Sequence, residues 1–84
     1  MKNVITSALA RDVFPITPND STNLTTKAYG IKVTGTAGNI VGVTDAGNTR
    51  TIPVAAGETL PVVFSKILAT GTTATGLWGY TLFL

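Results

Sequence analysis

Two residue types are missing from this chain, and charge is scarce. None of its 84 residues is cysteine or histidine. Without cysteine there are no disulfides, no thiolate nucleophile and no sulfur ligand for zinc. Without histidine the commonest general base is gone. Charged residues make up 12%, against about 25% in an average soluble domain. The four carboxylates, Asp12, Asp20, Asp45 and Glu58, all lie in or beside stretches that read as turns. No two of them have a spacing that implies joint acid–base work. Ser7, Ser21 and Ser65 have no histidine to activate them, and mere adjacency does not make Ser65-Lys66 a catalytic pair. Asp20 reads as a cap for nearby backbone, because a hard-cation site needs several converging oxygens. The inventory argues against an enzyme and against any bound cofactor or metal.

Other absences narrow the partners. The net charge is +2 and the six basic residues are scattered. No basic stripe or basic–aromatic interleave points to nucleic acid. The apolar stretch Gly76–Leu84 is too short to span a bilayer, and the N-terminus lacks the apolar run of a secretory signal. Asn19-Asp20-Ser21 and Asn23-Leu24-Thr25 match the glycosylation pattern, which in a Thr/Ser-rich loop reads as chance.

In place of charge stand Thr, Ser, Gly and Asn, with Thr about a fifth of the chain. Threonine is β-branched and suits pleated surfaces. A surface poor in charge is cheap to desolvate, which favours standing contacts between subunits. The length suits one small domain whose lone core is marginal. With disulfides and zinc excluded, oligomerisation is the remaining staple.

The chain divides into an N-terminal arm or short helix over residues 1–12 and a single β-domain over residues 13–84. In the first part Ile5, Ala8 and Leu9 have helical spacing; an extended arm that orders against a neighbour is the competing reading. Pro15 and Pro18 enforce extended backbone, and Pro18-Asn19-Asp20-Ser21 is a turn. Ala28–Thr34 alternates, with Tyr29, Ile31 and Val33 on one face. Asn39–Thr44 follows, with Val41 and Val43 opposite Ile40, and the two segments are spaced as a hairpin. Gly42 marks a bulge or a close backbone approach. Asp45–Asn48 turns the chain into Thr49–Val54, where Pro53 argues for a sheet edge.

The large side chains concentrate in Val62–Leu84, which reads as strand, Thr/Gly turn and strand. The apolar phase slips after Ser65, so a bulge near Ser65–Lys66 or a crossing between sheets is expected. In the last strand Trp78 and Tyr80 share a face, with Leu77 and Phe83 on the other. Core packing is the favoured reading of the two aromatics. The expected fold is all-β: a small antiparallel sandwich or barrel of five to six strands with an N-terminal arm.

Several segments together resemble a known family. They are Ile16–Ser21 followed by Leu24, Tyr29–Gly38, Ala56–Val62 and Ile67–Gly76. In this order they resemble the head-spike base proteins of tailed phages and gene-transfer agents, over about Phe14 to Tyr80. The Ala-Thr-Gly-Thr-Thr-Ala-Thr run after the Leu-Pro-Val strand is the most specific part. The resemblance implies a virion structural protein on the capsid exterior, as a vertex platform for a spike or a decoration subunit. It carries no catalytic residues. Expected partners are copies of the chain itself, as a trimer or pentamer, and a major capsid or spike/fibre protein. The candidate subunit or capsid contacts are Ile5, Leu9, Phe14, Trp78, Tyr80 and Phe83. The alternative is a carbohydrate- or receptor-binding module of a fibre or tail, with Trp78 and Tyr80 as stacking platforms.

Overall fold

The computed structural model describes residues 9–81. Ile5 and Phe83 lie outside the described residues, as does most of the 1–12 arm. Six strands follow one another: β1 (Val13–Pro15), β2 (Ala28–Val33), β3 (Gly38–Thr44), β4 (Thr49–Val54), β5 (Thr59–Ile67) and β6 (Leu77–Tyr80). They form one antiparallel sheet in the order β1-β6-β2-β5-β3-β4. The all-β expectation holds.

Two of the three expected hairpins do not form. β3 and β4 pair around the Asp45–Asn48 turn, as expected. β5 and β6, however, are separated by β2, and β2 and β3 are separated by β5. The reason lies in β5. Thr59–Phe64 pairs with β2 along one edge of the strand, while Phe64–Ile67 pairs with β3 along the other. One long strand therefore spans two directions of the sheet and turns its corner.

The corner is built at two slips in register. Val43 and Thr44 are successive, yet their partners are Lys66 and Phe64. Ser65 is thus the extra residue of a bulge, at the expected position, and its hydroxyl donates to the Val43 carbonyl at 3.3 Å. The other slip is at Gly30, whose φ of 136° lies outside the range other residues favour. It reverses the phase of β2: Ala28 faces inward before it, and Ile31 and Val33 after it. Tyr29 consequently lies half-buried on the face opposite Ile31, not beside it as simple alternation predicts.

Phe64 fills the corner and is fully buried with Ile31, Val33, Ile40 and Ile67. Its ring lies against Gly42, where a Cβ would sit 2.7 Å from Phe64 Cδ1. Here Gly42 serves as a point of close approach.

Threonine hydroxyls close the core where β5 has ended. The segment 72–76 runs antiparallel to residues 34–41, and its side chains do part of the work of a strand. Thr72 Oγ1 accepts from Val41 N at 3.0 Å and Thr73 Oγ1 from Asn39 N at 2.9 Å. Thr75 Oγ1 accepts from Thr36 N at 2.8 Å. Main-chain bonds alternate with these, from Thr73 to the Asn39 carbonyl and from Gly35 to the Thr75 carbonyl. Ala74, the one residue of Thr72–Thr75 without a hydroxyl, turns inward and is buried. This segment links the start of β3 to the start of β6, and the sheet curls into a small barrel-like core.

Thr72→Val keeps the shape and removes the hydroxyl from a half-buried N–H of Val41. It should lower unfolding stability by about 1–3 kcal/mol in denaturant titration, whereas Thr72→Ser should recover most of the loss.

Candidate assembly surface

The described residues contain no cluster of three acidic side chains able to hold a metal ion. Asp20 does not cap its own turn; Asn19 does, accepting from Ser21 N at 2.8 Å and Thr22 N at 3.0 Å. The Asp20 carboxylate reaches across the fold instead. It accepts from Thr70 N at 2.9 Å and from the Thr70 hydroxyl at 2.6 Å. The loop after β1 is thereby tied to the loop before the threonine segment. Lys27 and Asp45 form an ion pair at 2.6 Å, about half exposed on both sides, and such pairs add little.

The surface that stands out lies on the outer side of β1, β6 and β2. Residues directly opposite one another on paired strands share a face. Val13 pairs with Tyr80, while Trp78 lies between Pro15 and Lys32. One face therefore carries Val13, Pro15, Tyr80, Trp78 and Lys32, and a shallow recess is lined by Val13, Lys32, Thr34, Trp78 and Tyr80. Trp78 is 39% exposed, Val13 45% and Leu9, just upstream of β1, 59%. Among the described residues lining the recess Lys32 is the only charged one, and it anchors its ammonium to the Gly57 carbonyl at 3.0 Å.

Core packing of Trp78 and Tyr80 is overturned. β6 turns Leu77 and Gly79 inward and its aromatics outward. The interior beside β6 is already occupied by Phe14 from β1. A Cβ on Gly79 would sit 2.7 Å from Phe14 Cζ, so the strand offers its smallest residue there. There is no room for an indole. Phe14 accordingly lies on the inner side, half-buried against the core, whereas Leu9, Trp78 and Tyr80 are on or near the outer surface. Of the six candidate contacts, the structure brings Trp78 and Tyr80 together on one face. Val13, which sequence reasoning passed over, joins them through its register with Tyr80. The signal that could have found it is Pro15: prolines favour edge strands, and an edge strand must have a neighbour.

No family model matches the chain, and no curated protein matches it. An antiparallel β-module with an outward aromatic face offers a surface for binding or assembly. A match to a solved structure narrows this. The chain resembles one in the structure "Capsid of native GTA particle computed with C5 symmetry", with 43% identity, a TM-score of 0.77, and coverage of 86% of this chain and 83% of that one. The protein belongs to the same family as that chain of the gene-transfer-agent capsid.

Hydrogen bonds from Thr70, first its hydroxyl and then its amide, hold the Asp20 carboxyl below its ordinary value near 3.8; partial desolvation opposes them, and Lys66 adds a smaller pull downward. A depressed folded-state pKa stabilises fully above the ordinary value, and this contribution is lost as pH falls through the depressed one. Melting temperatures followed downward from about pH 5 should therefore fall more steeply for the natural chain than for Asp20→Asn.

Proposed function

We propose that this chain is a virion structural protein that docks on the exterior of a capsid, as a head-spike base or decoration subunit, and works there as a small homo-oligomer. The observation that carries the reading is the 43% identity over 86% of the chain to a chain of a gene-transfer-agent capsid. The local resemblance of Ile16–Ser21, Tyr29–Gly38, Ala56–Val62 and Ile67–Gly76 to head-spike base proteins supports the finer role. So does the composition, with 12% charge and large apolar side chains exposed at Leu9, Val13 and Trp78. In this reading the partners are further copies of the chain, as a trimer or pentamer, and a major capsid or spike/fibre protein. The Trp78–Tyr80 face is a contact surface of the docked subunit, with Ile5, Leu9 and Phe83 as further candidate contacts; Phe14, packed over Gly79, belongs to the core side. The chemistry is that of standing contacts, with no catalysis and no cofactor.

A second reading is favoured by one observation. Trp78 stands partly exposed beside Tyr80 on an outer face, as a sugar-stacking platform would in a receptor-binding module of a fibre or tail.

Purified particles are the test. Mass spectrometry of gradient-banded particles should find this chain at a fixed ratio to the major capsid protein; particles that lack it would sink the proposal. Trp78→Ser should cost about 1 kcal/mol of stability and lose binding to particles stripped of the chain. If it keeps particle binding but loses binding to a glycan array, the second reading takes over.

A further inference from the structure

The two end strands of the sheet differ in what their free edges offer. β1 is closed. Ile16 donates to the Leu77 carbonyl and Thr81 to the Asp12 carbonyl, so residues 12, 14 and 16 direct their main-chain groups to β6. Alternation turns those of Val13 and Pro15 outward. The Val13 N–H is already taken by the Asp12 carboxylate at 2.8 Å, and Pro15 has none. No outward donor is left on this edge.

β4 is open. Thr44 donates to the Asn48 carbonyl at the hairpin turn, which sets the phase of the ladder. Arg50, Ile52 and Val54 bond to β3. Thr49 and Thr51 point both N–H and C=O away from the sheet, and Pro53 points its carbonyl the same way. Among the described residues nothing takes up these two N–H groups. Thr49, Arg50, Thr51 and Pro53 are exposed, and Ile52 is half-buried at the margin of the core. An open row of this kind is a template for another strand.

We infer that the β4 edge is completed by the N-terminal segment of a second copy, added as a strand. Residues 1–8, Met-Lys-Asn-Val-Ile-Thr-Ser-Ala, precede the described chain. At about 3.3 Å per residue they are long enough to run the length of β4. Val4, Ile5 and Thr6 are β-branched and uncharged, as a strand requires. Alternation lets Ile5 cover the exposed side of Ile52 while Val4 and Thr6 lie outside. The donor is a second copy because the segment leaves from the β1 end of the sheet and β4 is its other end. Donor and acceptor surfaces differ, so copies join head to tail, in a ring where the rotation between them closes and in a filament where it does not. Main-chain bonds supply the affinity, as in other cases of strand addition.

The inference deepens the oligomeric part of the proposed function, but its test needs only purified chain. Absence from particles would leave it standing, and its failure would leave particle docking untouched. Amide hydrogen exchange is compared between the full chain and a variant lacking residues 1–8, alongside sedimentation across a concentration series. In the full chain Thr49 and Thr51 should be protected, and protection should rise with association. In the shortened variant both amides should exchange freely while Arg50 and Ile52 stay protected, which certifies the fold. That variant should sediment as a monomer. Thr51→Pro, which removes one outward donor from an edge strand, should weaken association about tenfold or more. Three results would overturn the inference: unprotected Thr49 and Thr51 in an associated full chain, protection of both in a monomer, or association that survives removal of residues 1–8.

Discussion

Along the first half of β3, hydroxyl groups stand where a neighbouring strand would. β5 leaves β3 after Ile67, and the next residues do not lie flat beside it. Thr72, Thr73 and Thr75 instead place side-chain oxygens on the N–H groups of Val41, Asn39 and Thr36. Unpaired main-chain donors in this region would cost about as much as lost hydrogen bonds, and the segment must also turn Ala74 into the core. Threonine serves both needs, because its hydroxyl mimics a main-chain acceptor while its branched carbon tolerates extended backbone. The curl of the sheet, the position of β6 and the filling of the core near Leu77 all follow from this closure.

The outward face of β6 is a second consequence. Once Leu77 is drawn into the core and Phe14 fills the space over Gly79, alternation leaves Trp78 and Tyr80 outside with Val13 and Lys32. The surface around them carries little charge. Two kinds of assembly contact are then available from one small fold: an apolar face for a partner subunit, and a main-chain edge on β4. They lie on different parts of the sheet and can be used at once.

Strand positions and edges were legible in the chain; pairing was not. The alternation of Ile40, Val41 and Val43, the edge character marked by Pro53, the bulge at Ser65 and the close approach at Gly42 were all readable, because each depends on the residue and its near neighbours. Pairing depends on which of two edges a strand uses, and β5 uses both. No local pattern reports that. The inversion at Tyr29 was hidden for a related reason: a positive φ at Gly30 is permitted by glycine but not announced by it. At the candidate surface the aromatics were found, but their direction was misjudged. Size argued for burial, and the competing claim of Phe14 on the same space came from a strand far away in sequence. Asp20 is similar: its residue type suggested a local cap, and its partner proved to be Thr70.

The place of β6 bears on how each copy is made. Among the described residues it is the last strand in sequence, yet it lies between β1 and β2, the first two. During synthesis the early strands have no sheet to join until the late residues emerge, and contacts so distant in sequence make folding slow. A chain cut short before Leu77 leaves Phe14 without the Gly79 hollow and β2 without its second neighbour. The aromatic face is built on that same late strand. A chain cut before Leu77 therefore has neither Trp78 nor Tyr80 to present to a partner.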